Sequence, residues 1–176
     1  MHLETAEPFP YDIPTAVSAR EATRLQEMAT GKCILELGAQ YGFSTIVLAK
    51  TARVVHSVDW HQGDSMAGHL NSLDHYFGNL QRHVARNVVT HVGRFEDVVP
   101  LFALGAFDGC FLDGEHDLTS VQRDSAMAMR VVKPGGWLAW HDYGRPGTAV
   151  AAVLDELAMV YRRKVDSVDF LAWIVR

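Results

Sequence analysis

Cys33-Ile34-Leu35-Glu36-Leu37-Gly38-Ala39-Gln40-Tyr41-Gly42-Phe43-Ser44 is the stretch that decides the fold. An apolar run ends in an acidic residue, Gly38 and Gly42 follow, and a helix-like segment with Ile46, Val47 and Leu48 begins at once. Strand, tight turn and helix N-terminus in that order are the device by which nucleotide-binding sheets receive a ligand. Glu36 precedes the turn, and Asp59 closes the next strand-like run. Two carboxylates at successive strand ends suit ribose and amino groups, whereas a pyrophosphate would be repelled by them. The pattern points away from a dinucleotide and towards a small adenosyl ligand that carries positive charge. Gln40 in place of the middle glycine of G-x-G-x-x-G, with no catalytic couple for hydride transfer, likewise disfavours a dehydrogenase.

Outward from that stretch, strand-like and helix-like segments alternate. Residues 1–13 read as an extended arm with Pro8 and Pro10, and 14–29 as an amphipathic helix starting at Pro14 and stopped by Gly31. Strands are expected at 32–37, 53–58, 88–92, 107–112 and 137–140. Helices are expected at 44–50, 70–84 (Leu73, Phe77, Leu80, Val84), 96–104, 118–132 and 147–161. Residues 60–72 read as a loop, and Lys133-Pro134-Gly135-Gly136 as a helix stop. The tail from Arg163 to Val175 carries two short β-rich pieces without a helix between them, which predicts an antiparallel last strand. The fold class is therefore α/β: a Rossmann-like, doubly wound, mostly parallel sheet of seven strands with helices on both faces. A single domain is expected over 1–176, with the arm and first helix in 1–30 and the core in 31–176.

The bulk numbers narrow the function classes. A chain of 176 residues with 48% hydrophobic and 21% charged residues has an ordinary globular composition. A net charge of −5 argues against nucleic acid as a partner. The basic groups Arg82, His83 and Arg86, and Arg162, Arg163 and Lys164, read as solvated faces. Cys33 and Cys110 lack metal or disulfide spacing and read as buried thiols. No run is long enough for a membrane span, and Glu4, Glu7 and Asp12 interrupt any leader, so a cytoplasmic address is expected.

In an open parallel sheet the ligand sits at the carboxyl ends of the strands. Those ends hold Glu36, Asp59-Trp60, Gly93-Arg94-Phe95, Asp113 and His141-Asp142. One such carboxylate is a helix cap; four with a histidine on one rim are a site. His61, His69, His75, His83 and His91 lack a recurring ligand spacing, although His61, next to Asp59-Trp60, is placed to face a pocket mouth.

Glu36-x-Gly38-x-x-x-Gly42-x-Ser44, Asp59, Asp113-Gly114-x-His116 and Pro134-Gly135-Gly136 through His141-Asp142-Tyr143 resemble a class I S-adenosylmethionine-dependent methyltransferase. The resemblance is to the small-molecule O-methyltransferase branch, with its catechol-type and macrolide-sugar-type members, and it runs from about residue 31 to the end. It implies that Gly38, Ala39 and Gly42 let the backbone approach the methionine moiety and that Glu36 holds its ammonium. Ser44 would bond its carboxylate, Asp59 the ribose hydroxyls, and Trp60 the adenine face, with Arg94, Phe95 and Asp113 completing the cofactor site. Catechol-type relatives bind Mg²⁺ through an Asp after the fourth strand and an Asp-Asn pair after the fifth; the matching residues here are Asp113, His141 and Asp142. His141 would suit Mn²⁺, Fe²⁺ or Zn²⁺ better than Mg²⁺. Alternatively no metal binds, and His116 or His141 removes a hydroxyl proton.

The resemblance thus implies methylation of a small hydroxylated molecule, with Asp113, His116, His141 and Asp142 as the catalytic set and a homodimer as a common assembly. The other readings are a metal-free N- or C-methyltransferase and a non-catalytic adenosyl-binding module.

Overall fold

The computed structural model describes residues 9–64 and 68–176; the first eight residues of the expected arm lie outside it. The elements in chain order are α1 (Ala19–Ala29), β1 (Cys33–Leu37), α2 (Phe43–Ala49), β2 (Val54–Asp59), β3 (Gly63–Asp64) and β4 (Gly68–His69). There follow α3 (Leu73–Arg82), β5 (Val88–Val92), α4 (Phe95–Val98), β6 (Phe107–Leu112), α5 (Leu118–Val131) and β7 (Val132–Trp140). The chain closes with α6 (Val150–Tyr161), β8 (Asp166–Val168) and β9 (Leu171–Val175).

Seven strands form one sheet in the order β5-β2-β1-β6-β7-β9-β8. The β5-β2-β1-β6-β7 pairs are parallel, and β9 runs antiparallel to both β7 and β8, as the tail predicted. Strand order reverses between β1 and β6, which opens the crevice where such sheets take ligands. Side chains alternate across the buried strands. Ile34 joins the core under α1, α2 and α3, while Leu35 and Leu37 join the core under α5 and α6. Glu36 therefore points to the α2 side.

Several elements differ from expectation. The first helix begins at Ala19, not Pro14, because Ser18 and Glu21 form a reciprocal capping box. Pro14 to Val17 precede it as irregular chain. The third helix ends at Arg82. Val84 lies beyond it with φ of 55° and is exposed, and Phe77 is half exposed, so the buried stripe is Tyr76, Asn79 and Leu80. The segment at 96–104 shortens to α4 and a single 3₁₀ turn, Val99–Leu101. The helix before Lys133 does end, at Val131, but β7 starts at Val132 rather than 137, and Lys133 to Gly136 bulge out of it. Phe107 pairs with Val132, and pairing resumes at Gly109 with Trp137. The loop after Trp60 contains the β3–β4 hairpin, and α6 starts at Val150 rather than 147.

Candidate active site

Hydrogen bonds continue past the strands and align their carboxyl ends into one rim. Gly93 N donates to Asp59 O, Gly38 N to Val58 O, Asp113 N to Leu37 O, and His141 N to Leu112 O, all at 2.8–3.0 Å. Gly38 has φ of 97°, and a Cβ there would lie 1.9 Å from the Asp113 carbonyl oxygen. Only glycine lets β1 and β6 close to this spacing. A cavity of about 260 Å³ opens above the rim. It runs from Trp60, Arg94 and Phe95 at one end to His116, His141 and Asp142 at the other.

The first end is organised by Asp59. Its Oδ2 accepts from Ala39 N at 2.7 Å and Gln40 N at 2.8 Å, and its Oδ1 accepts from His61 N at 2.6 Å. One carboxylate thus ties the β1–α2 loop to the β2 exit with charge-assisted bonds. Trp60 donates through Nε1 to Gly63 O, and the Arg94 guanidinium lies 4.1 Å over its ring. Phe95 packs so closely on Gly114 that a Cβ there would approach to 2.6 Å. Gly38, Ala39, Ser44, Asp59, Trp60, Arg94, Phe95 and Asp113 all line the cavity.

Glu36 and Gly42 are not brought to the cavity wall. Glu36 is fully buried beneath α2, where Thr45 Oγ1 donates to its Oε2 at 2.5 Å. Burial pushes its carboxyl up to about 7, against hydrogen bonds from Thr45, Ser44 and Ser57. Gly42 takes φ of 90° at the α2 N-terminus and packs on Tyr76. His61 turns inward too. It is buried, with Nδ1 2.8 Å from Ser72 Oγ and its ring on Tyr76.

The second end is a cluster of charge. His141 Nδ1 lies 3.5 Å from Asp113 Oδ1 and 3.3 Å from Asp142 Oδ1, while its Nε2 lies 3.4 Å from Glu21 Oε2. Burial works against charge on this ring, but hydrogen bonding and attraction from the three carboxylates outweigh it and push its pKa up to about 12. Asp142 also meets His116 Nε2 through Oδ2 at 2.5 Å and Arg145 through Oδ1 at 2.9 Å. Burial opposes its ionisation, yet His116 and His141 hold its carboxyl well below the usual range. The residue is held at φ of 62°, a left-handed conformation unusual for a side-chain-bearing residue, with its carbonyl accepting from Arg145 N and Thr148 Oγ1.

A family model described as a methyltransferase domain matches residues 35–143, well over half of the chain. The chain belongs to the methyltransferase-domain family. Comparison with curated proteins by sequence gives no match. Among solved structures, the O-methyltransferase NovP matches with a TM-score of 0.78 at 16% identity, over 92% of this chain and 81% of that one. TomG from Streptomyces achromogenes, an O-methyltransferase of tomaymycin synthesis in complex with S-adenosylmethionine, has a TM-score of 0.71 at 21% identity. That match covers 94% of this chain and 83% of TomG. An O-methyltransferase from Bacillus cereus in complex with S-adenosylhomocysteine gives 0.71 at 19%, over 94% and 86%. These likenesses show a shared fold, in two cases with S-adenosylmethionine or S-adenosylhomocysteine bound, the kind of ligand that the motifs implied for this chain.

The methyltransferase's own residues fit that cofactor. The close approach at Gly38 leaves backbone facing the cavity, Asp59 stands at the second strand end, and the Asp113 carboxylate suits a sulfonium cation. A divalent ion also finds donors, because one ligand atom from each of Asp113, His141 and Asp142 lies within 4.8 Å of the others. One nitrogen and two oxygens suit a borderline ion better than Mg²⁺.

Sequence reasoning missed Glu21, Asp124 and Arg145. Asp124 is buried on the cavity wall beside Arg123, and burial pushes its carboxyl up to about 6 against that ion pair. Glu21 had a signal, since Ser18-x-x-Glu21 is capping-box spacing. Its second use, at the site, depends on long-range packing. Among the described residues, no helix is long and apolar enough to cross a membrane.

Proposed function

We propose that this methyltransferase transfers the methyl group to a hydroxyl oxygen of a small molecule, bound at the His116–His141–Asp142 end of the cavity. The observation that carries this reading is the His116–Asp142 pair, 2.5 Å apart on the cavity wall. A methyl acceptor that is a hydroxyl must lose a proton, and a histidine fixed by an ionised carboxylate is a general base for that task.

Bound S-adenosylmethionine supplies an electrophilic methyl carbon on a cationic sulfur. Gly38, Ala39, Ser44 and Asp59 would hold its polar ends, Trp60 and Phe95 would flank the adenine, and Asp113 would face the reacting region. At the other end Asp142 accepts from His116 Nε2 and so orients the ring. An acceptor oxygen in line with the methyl carbon would displace the sulfur, which keeps the electron pair of the broken carbon–sulfur bond, and His116 would take the hydroxyl proton. The charged His141 and Arg145 steady the oxygen's developing negative charge. Orientation of the two reactants supplies much of the acceleration.

A second reading has its own support. Asp113, His141 and Asp142 would hold a divalent ion that lowers the pKa of a chelating hydroxyl. Cys33 and Cys110, both unpaired thiols, support a cytoplasmic place for the enzyme. The test is incubation with isotopically labelled S-adenosylmethionine and a panel of phenols, catechols and sugars, with and without a chelator. Methyl ether products that need His116 support the first reading, and activity lost to the chelator and restored by Mn²⁺ or Mg²⁺ selects the second. Label appearing only on amine or carbon acceptors would overturn O-methylation.

A further inference from the structure

We infer that Glu21, on the first turn of α1, is the positioning residue for His141, so that a segment outside the family-matched stretch completes the acceptor end of the site. The inference rests on the reading that the His116–His141–Asp142 end receives the methyl acceptor.

Glu21 is only 1% exposed, although it sits at the start of a polar helix. Its capping role accounts for part of that position. Ser18 N donates to Oε2 at 2.7 Å, and Ser18 Oγ accepts from Glu21 N. Capping alone is normally done by an exposed side chain, and it does not require burial of the carboxylate. Here two further groups converge on it. Phe170 N, in the turn between β8 and β9, donates to Oε1 at 2.7 Å, and His141 Nε2 faces Oε2 at 3.4 Å. Both partners of this ion pair are enclosed, with side chains 1% and 2% exposed. The contact is an ion pair by distance, and among the described residues His141 Nε2 has no hydrogen-bond partner.

The consequence lies in the ring's other nitrogen. A buried carboxylate beside Nε2 holds that edge of the charged ring and leaves Nδ1 facing Asp113 and Asp142. A carboxylate so placed fixes the tilt of a histidine that acts through its far nitrogen. It holds equally whether Nδ1 carries a proton or faces an ion.

The same carboxylate couples three elements. Ser18 Oγ donates to Asp169 Oδ2 at 2.6 Å, Arg20 meets Asp169 Oδ1 at 2.8 Å, and Tyr143 N donates to Phe170 O at 2.9 Å. The start of α1, the β8–β9 turn and the exit of β7 are thereby locked around His141. Pro14 to Val17, just before α1, form part of the cavity wall. The hook at Glu21 thus fixes both the ring and the wall beside it.

The test combines ring nitrogen spectra with kinetics on the full-length protein. In the wild type, long-range ¹H–¹⁵N NMR should show His141 Nε2 carrying a proton. In Glu21→Ala the Nε2 resonance should shift, because the carboxylate beside it is gone. The turnover number should fall about 10- to 100-fold while the Kd for S-adenosylmethionine stays within about twofold. Ser18→Ala removes half of the capping box and should lower Tm while leaving the His141 spectrum unchanged. If Glu21→Ala does not fold, Glu21→Gln keeps the shape without the charge and should shift the same resonance in the same direction. An unchanged His141 spectrum in the folded Glu21 variant overturns the inference. The spectra require no acceptor, so a failure of O-methylation with the Nε2 signature intact would overturn the functional reading and leave Glu21 in its role.

Discussion

At the β1–β2 end of the cavity the organising donors are backbone amides: Ala39, Gln40 and His61 all point at one carboxylate, Asp59. At the β6–β7 end the organising groups are side chains: His141, Asp142, His116, Arg145, Asp113 and Glu21. The first end is assembled by residues within one β-α-β unit, where a glycine and a strand terminus determine the geometry. The second gathers α1, β6, β7, the loops that follow these strands and the β8–β9 turn. A ligand common to a family can be held by the first kind of construction, because it depends little on side-chain identity. An acceptor that differs between members needs the second. The contrast teaches that cofactor binding and turnover should respond to different substitutions.

The sharpest break of this comparison is at His116. His116→Ala should lower turnover by about 10²- to 10⁴-fold, with S-adenosylmethionine affinity unchanged, in single-turnover assays beside calorimetric titration. Gly38→Ala should do the reverse kind of damage. Its Cβ would overlap the Asp113 carbonyl and the backbone is held at φ of 97°. The variant should lose about 3 kcal/mol of stability in denaturant titrations and bind cofactor poorly even when folded.

Glu36 offers a smaller and pH-dependent effect. Its folded-state pKa, about 7, lies above the ordinary carboxyl value of 4.5. The folded state therefore holds a proton that the unfolded chain has released. The stability this contributes is full below pH 4.5 and is lost as pH rises through 7. Glu36→Gln should melt like the wild type at low pH and be more stable at pH 8, by about 3 kcal/mol at most. A difference independent of pH would mean that Glu36 is charged beneath α2. His56 and His91 give the opposite slope. They stack with Nδ1 and Nε2 3.0 Å apart, and burial lowers both pKa values, helped at His56 by the His91 charge. Their contribution to stability is lost as pH falls below 6.5, and replacing both with Phe should flatten the acid limb of the melting curve.

The sheet was legible because its strands are short apolar runs ending in acidic residues, and the cofactor loop because Gly38 and Asp59 sit at fixed offsets from those ends. The α1 boundary was misplaced because Pro14 competed with Ser18-x-x-Glu21, and hydrogen bonding favours the capping box. Lys133 to Gly136 were rightly read as following a helix end, but the start of β7 was placed too late because a proline and two glycines also fit a bulge. Glu21 and Arg145 could not be read as site residues. Glu21 is brought there by contacts with Phe170, 149 positions away, which no local pattern encodes.

The central claim is that the two ends of the cavity serve different reactants. Calorimetric titration of S-adenosylmethionine into the wild type, Asp59→Ala and Asp142→Asn tests it most directly. The account predicts affinity at least about tenfold weaker in Asp59→Ala, where the charge-assisted ties to Ala39 and Gln40 are lost. It predicts affinity within about twofold of the wild type in Asp142→Asn, which should nevertheless fail to turn over. Weak binding in Asp142→Asn with normal binding in Asp59→Ala would contradict it.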